Sequence, residues 1–135
     1  MTHRDFAAEL PPAPIHQRLG ITISHASIER VVGSMPVSGN EQPFGALHGG
    51  ASVVLAESLG SIGTAIHAGA GARVSGIEVN ATHHRPATRG SVTGTASPLH
   101  LGRTIATWNV TIKDSEDRLT CTARITCAIR PAADG

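Results

Sequence analysis

Residues 51–67 read ASVVLAESLGSIGTAIH, and the way polarity is spread along them decides the fold. On a helix of 3.6 residues per turn, apolar or small side chains fall on every side and Glu57 is the single acid. A helix of that kind belongs inside a protein rather than on its surface. Gly60 and Gly63 each cost about 1 kcal/mol of helix propensity, so packing must hold the segment together. Their missing side chains also let another element come close. Gly69, Ala70 and Gly71 end it.

Beyond Gly71 the period changes to two. Ile77, Val79 and Ala81 alternate with polar residues, Gly90 opens a run through Ser97, and Ala106, Trp108, Val110 and Ile112 alternate across Thr104–Lys113. After an acidic turn at 114–117, Leu119, Cys121, Ala123, Ile125, Cys127 and Ile129 alternate almost without fault. These are strand patterns. Upstream, Ile21–His25 and Glu29–Val37 carry β-branched residues that suggest two more strands. Pro14 and Gly20 bracket a short helix, and residues 38–47 form a loop by their Gly, Asn and Pro content. One long helix followed by strands with short turns predicts an α+β fold: a central helix wrapped by an antiparallel sheet. The 135 residues make one domain (1–135), with a loose leader over 1–13 and a frayed tail over 131–135. A sheet covers one side of a helix only, so a second copy of the chain is expected to cover the rest.

With 40% hydrophobic residues and 16% charged, the chain can bury a core and is not disordered. Its 11 Lys plus Arg against 10 Asp plus Glu are scattered and aromatics are 2%, which argues against a nucleic-acid partner and a polybasic membrane contact. Glu57 and the Gly/Ala/Ser content make residues 49–72 a poor membrane span. Met1–Leu10 has no signal-like pattern, so a cytoplasmic location is expected. Cys121 and Cys127 sit six apart on one strand, roughly 20 Å at about 3.3 Å per residue, and read as reduced core residues.

Glu57 is the residue with the most unusual setting. Ionised burial would cost several kcal/mol, so it must reach a cleft or carry a raised pKa, unless it lies on a wet stripe with Ser61. His48-Gly49-Gly50 stands where the helix begins, so glycine N–H groups and the helix dipole could stabilise a developing anion; an ordinary capped entry is the plain alternative. His48 and Glu57 are nine positions apart, about 13.5 Å of rise and half a turn out of phase. They act together only if two subunits each supply one. His83 follows an apolar face and reads by itself as a structural histidine. No His or Cys spacing suits a metal, none is expected, Ser52, Ser58 and Ser61 lack a GxSxG setting, and no dinucleotide loop is present.

Gln42-Pro43-Phe44-Gly45-Ala46-Leu47-His48-Gly49-Gly50-Ala51-Ser52, continuing through Glu57 to Ser61, resembles the signature of hotdog-fold acyl-coenzyme A thioesterases. The resemblance narrows to the branch of the 1,4-dihydroxy-2-naphthoyl-CoA thioesterases of menaquinone synthesis, the enterobactin proofreading enzymes and the Arthrobacter-type 4-hydroxybenzoyl-CoA thioesterases. It continues through 76–85 and 98–104. It implies an acyl-CoA substrate, no separate cofactor because coenzyme A is part of the substrate, and a homodimer or dimer of dimers, commonly a homotetramer, with sites between subunits. It implies that Glu57 is nucleophile or general base, that Gln42, His48 and the Gly49 N–H of the facing subunit polarise the thioester, and that Ser61 assists. Contacts to substrate and coenzyme A would map to Gly76, His83, His84, Arg85 and Pro86, and to His100, Leu101, Gly102, Arg103, Thr104 and Ile105. Thr82 and His84 depart from the family pattern, which bears on acyl preference. The leading expectation is an aromatic acyl-CoA, first among them 1,4-dihydroxy-2-naphthoyl-CoA; 4-hydroxybenzoyl-CoA, phenylacetyl-CoA, medium-chain and misacylated carrier-protein thioesters remain open as alternatives. So do a hotdog dehydratase, disfavoured by the direct HGGAS run, and a non-catalytic acyl-CoA-binding domain, disfavoured by Glu57.

Overall fold

The helix read from residues 51–67 spans Gly49–Ala68 and is α2, after a short α1 at Pro14–Leu19. The computed structural model describes residues 3–133; Met1 and Thr2 of the expected leader, and Asp134 and Gly135 of the expected tail, lie outside the described residues. Six strands follow the period-two reading: β1 Thr22–Ala26, β2 Val31–Pro36, β3 Arg73–His83, β4 Ser91–Leu101, β5 Ile105–Lys113 and β6 Leu119–Arg130. They form one sheet in the order β1-β2-β4-β5-β6-β3, every neighbouring pair antiparallel. Residues 131–133 are exposed and carry neither helix nor strand.

Alternation places Ala106, Trp108, Val110 and Ile112 of β5, and Cys121, Ile125 and Cys127 of β6, at 0% exposure beneath α2. Leu55 and Leu59 are equally buried from the helix side. Burying one such leucine contributes about 1.5–3 kcal/mol, which outweighs the helix cost of about 1 kcal/mol per glycine at Gly60 and Gly63. Those glycines are where the sheet comes closest. A Cβ at Gly60 would stand 2.1 Å from Ile125 Cγ2, and one at Gly63 2.3 Å from Trp108 Cζ2.

Three features refine the expectations. First, as expected of a helix with a sheet on one side only, α2 is not buried all round: Ala51, Ser52, Leu55, Ala56, Leu59, Gly60, Gly63 and Thr64 are buried, while Gly50, Glu57 and Ala65 are exposed. A single sheet reaches one face of a cylinder, and the opposite face of α2 stays half open. Second, Ile77 does not join Val79 and Ala81 on the inner face. The β3/β6 register shifts between Gly76 and Glu78, leaving Ile77 at a bulge with 57% exposure.

Third, residues 3–13 are docked rather than loose. Phe6 N–H donates to Ala26 O at 2.7 Å, and Asp5 Oδ1 accepts from the N–H groups of Ala7 and Ala26, each at 2.9 Å. These backbone donors, with His25 at 3.3 Å, hold the Asp5 carboxyl below its ordinary range. The cause is the free edge of β1, whose unpaired backbone groups offer the leader partners that its own sequence does not announce. Phe6, Ala7 and Leu10 then pack on the core.

Helix propensity alone favours Gly63→Ala by about 1 kcal/mol, whereas the contact with Trp108 predicts an overpacking loss of about 1–3 kcal/mol. The expected outcome is a lower urea midpoint for Gly63→Ala; a midpoint raised above that of the parent would show that the helix and sheet are not in the close contact described.

Candidate active site

The entry to α2 is built by a tight loop. Gln42 N–H donates to Ala46 O at 2.8 Å and Gly45 N–H to Gln42 O at 3.1 Å, which turns the chain sharply and leaves Phe44 at the tip, 94% exposed. The Gln42 side-chain oxygen accepts from Phe44 N–H. Its amide NH2 is therefore the end left to act as a donor.

His48 caps the helix: Nδ1 accepts from Gly50 N–H at 2.8 Å, and its carbonyl accepts from Ala51 N–H at 2.9 Å. Two consequences follow for the glycine pair. The Gly50 N–H is already spent on the cap, so it does not serve as an anion donor, and Gly49 N–H, without a protein partner among the described residues, is the one that can. Because Nδ1 is an acceptor, a neutral His48 carries its proton on Nε2. The loop and helix start thus supply three donors of different kinds: an amide NH2, an imidazole N–H and a backbone N–H at the positive end of the helix dipole.

Gln42 and Gly49 line one cleft of about 340 Å³ with Ser52, His83, His84, Arg85, Pro86 and Thr120 among its walls. By its position alone His83 reads as a structural histidine, and the structure places it on the wall of this cleft instead. It is exposed at the end of β3 and packs against Gly49, where a Cβ would stand 2.9 Å from its Nε2. His84 is tied to β6 by Nε2···Thr122 Oγ1 at 2.9 Å. Arg85 is exposed at the mouth.

Glu57 lies elsewhere. It projects from the open face of α2 toward β3, where Gly76 leaves it space: a Cβ on Gly76 would meet Glu57 Oε2 at 3.2 Å. It is exposed in the isolated chain, where the cost of burying an ionised carboxylate does not arise. Ser61, one turn on, touches Cys127 (Oγ···Sγ 3.8 Å) and lines a second, larger groove between α2 and the N-terminal segment. The β4–β5 corner, residues 100–105, does not line the cleft either. It is closed by Gly102 N–H to Ile105 O at 2.9 Å, and Gly102 O is held by His67 Nε2 at 2.7 Å. One chain therefore gathers Gln42, Gly49 and His83–Pro86, and keeps Glu57, Ser61 and residues 100–105 apart from them. The sequence reading missed the His16–Ser58 pair, 2.9 Å apart beside the larger groove; partners 42 positions apart leave no spacing signal.

Residues 44–121 match the model of the Thioesterase superfamily. The 1,4-dihydroxy-2-naphthoyl-CoA hydrolase of Escherichia coli is 46% identical over 112 residues, covering 82% of this chain and 82% of that protein. Proofreading thioesterase EntH of Klebsiella pneumoniae is 44% identical over 112 residues, with the same shares of 82% and 82%. A solved thioesterase from Staphylococcus aureus superposes with a TM-score of 0.85 at 36% identity, covering 88% of this chain and 100% of that one.

Gly76→Val is expected to push the Glu57 carboxylate from its place while strand β3 accepts the β-branched side chain. A crystal structure of the variant checks this: an unmoved Glu57 with an unchanged β3 would remove Gly76 from the site.

Proposed function

The chain belongs to the Thioesterase superfamily and is a thioester hydrolase, and on that premise we propose that it cleaves an aromatic acyl-coenzyme A at a site built by two copies of the chain. The observation that carries the reading is the separation just described: three hydrogen-bond donors at one end of α2 and a free carboxylate in its middle, on a face that a single sheet leaves open. Neither half can run acyl transfer alone. Strand β3, eleven residues long and mostly exposed at the sheet edge, offers the unpaired backbone through which a second copy would join. That pairing would bring the Gln42, His48 and Gly49 of one copy to the Glu57 of the other.

Glutamine and glutamate also recur together in a relative. The Staphylococcus aureus protein has been solved with alanine replacing a glutamine in one structure and a glutamate in another, fifteen positions apart. Gln42 and Glu57 have that same separation.

In the proposed reaction the thioester carbonyl oxygen lies at Gly49 N–H, with His48 Nε2–H and the Gln42 NH2 group within reach as negative charge develops. One such donor is typically worth about 10² to 10³ in rate. Glu57 then has two routes. Its carboxylate can attack the carbonyl carbon and expel the thiolate, giving a mixed anhydride that water opens. Alternatively it takes a proton from a water that attacks directly. Both routes return the carboxylate of Glu57 and yield a free acid and a thiol, and Ser61 stands one turn away to hold the carboxylate or the water. The thiolate is a good leaving group and needs no strong acid. Arg85, beside His83, His84 and Pro86, and Arg103, on the turn between β4 and β5, are the groups offered to the phosphates of coenzyme A.

The Escherichia coli relative supports 1,4-dihydroxy-2-naphthoyl-CoA as the first substrate to try, which would place the chain in menaquinone synthesis. The Klebsiella pneumoniae relative supports proofreading of misacylated carrier protein as a second reading. We place the working assembly at a dimer or a dimer of dimers.

Thiol release from naphthoyl, benzoyl, phenylacetyl and straight-chain coenzyme A esters tests the reading. Aromatic esters are expected to be preferred, and Glu57→Ala to lower turnover by more than about 10². Mixing inactive Glu57→Ala and His48→Ala chains should restore part of the activity through mixed dimers. Parent-like rates in Glu57→Ala, or no recovery on mixing chains shown to exchange, would overturn the mechanism or the shared site.

A further inference from the structure

We propose that His16, standing in the apolar groove between the N-terminal segment and α2, is a specificity residue that selects acyl groups carrying a neutral hydroxyl. The inference rests on the reading of Glu57 as the acid of the site.

Placement comes first. The groove is about 1070 Å³, walled by Phe6, Leu10, Ile21, Ile62 and Ile66, and its inner edge reaches Ser61, which is one helical turn from Glu57, about 6 Å of rise. An acyl group whose carbonyl stands at Glu57 has the row Ser61, Ile62, Ala65 and Ile66 before it along the open face of α2. That row leads into the groove. The volume leaves room for a fused bicyclic ring, and apolar walls suit its faces.

Polarity comes second. Glu9, Gln17 and Thr22 also border the groove but are exposed, and Arg4 pairs with Glu9. His16 is part-buried, and its Nε2 lies 2.9 Å from Ser58 Oγ, on the helix position next to Glu57. Its backbone is fixed at both ends: its N–H donates to Ala13 O at 3.0 Å, and its carbonyl accepts from the N–H groups of Ile21 at 2.8 Å and Gly20. The ring is therefore not a loose surface histidine. Burial pushes it below its ordinary value of 6.5, so near neutral pH it is uncharged, with one nitrogen a donor and the other an acceptor. Nε2 is engaged with Ser58, and Nδ1 has no protein partner among the described residues. Whichever way the proton sits, Nδ1 matches a hydroxyl, which both donates and accepts. A neutral ring in an apolar groove does not favour a charged substituent.

The experiment compares the coenzyme A thioesters of 2-naphthoic acid and 1-hydroxy-2-naphthoic acid. The readout is the ratio of kcat/KM for the two in the parent, His16→Leu, His16→Gln and Ser58→Ala. The parent is expected to prefer the hydroxylated ester, and His16→Leu to lower that ratio about tenfold, the size of one lost neutral hydrogen bond. His16→Gln, which retains a donor and an acceptor, should recover part of the ratio, and Ser58→Ala should weaken it. The Kd ratio for the same two esters on Glu57→Ala protein reads the preference without chemistry, so failure of the Glu57 mechanism and failure of the His16 assignment are separate results. Equal handling of the two esters by the parent, or an unchanged ratio in His16→Leu, overturns the proposal. An unchanged ratio together with an altered oligomeric state overturns it in favour of a groove covered by a second copy of the chain.

Discussion

Everything in this molecule follows from how closely α2 lies on its sheet. Ile125 and Trp108 occupy the space that side chains at Gly60 and Gly63 would need, so the helix is seated on β5 and β6 at near backbone contact. Seating it so deeply buries one face and commits the rest of the fold to leaving the other uncovered. The open face is the one that carries Glu57 and Ser61. A carboxylate in the middle of an apolar helix is thus a result of geometry: it costs little where solvent reaches it, and it becomes useful where another surface closes over it.

The two ends of that helix do different work. At its start, the bond from Gly50 N–H to His48 Nδ1 joins a structural cap to a chemical choice, because it fixes which imidazole nitrogen holds the proton. The same bond consumes one of the two glycine N–H groups and leaves the other. At its far end, His67 reaches Gly102 and ties the helix to the β4–β5 turn. Helix, turn and cleft are therefore held in one frame, even though one chain does not bring all the proposed groups to one point.

The sequence made some of this plain and hid the rest for physical reasons. Strands β5 and β6 were legible because alternation is enforced wherever one face meets a core, and Trp108, Ile112, Ile125 and Cys127 sit on that face. Helix α2 was legible by its length and lack of charge, and that a sheet would cover only one of its sides followed from geometry; which side was not legible, since small residues such as Gly, Ala and Ser satisfy either environment. Ile77 was placed inward because a bulge leaves no mark in the period until the partner strand is known. The docking of residues 3–13 was invisible because it uses backbone groups of β1, a feature of topology rather than of composition. Of the candidate site, His48, Gly49 and Glu57 stood out by residue type and spacing, Gln42 only by the resemblance, and the structure keeps His48 and Glu57 as far apart as their spacing requires. His16 with Ser58 escaped because contact across 42 positions is written only in the fold.

Cys121 and Cys127 lie on the inner face of β6 at 0% exposure, and burial raises the Cys121 thiol above its ordinary value. Sulfur sealed in this way is inert to solution electrophiles. For an enzyme whose product is a thiol this has a practical meaning: a colorimetric sulfhydryl reagent added to the folded protein sees only the coenzyme, and the protein contributes no background. The same two atoms become reactive when β6 separates from α2. With substrate withheld, the colour they yield is a clock for opening of the core, kept by the molecule itself and independent of its catalysis.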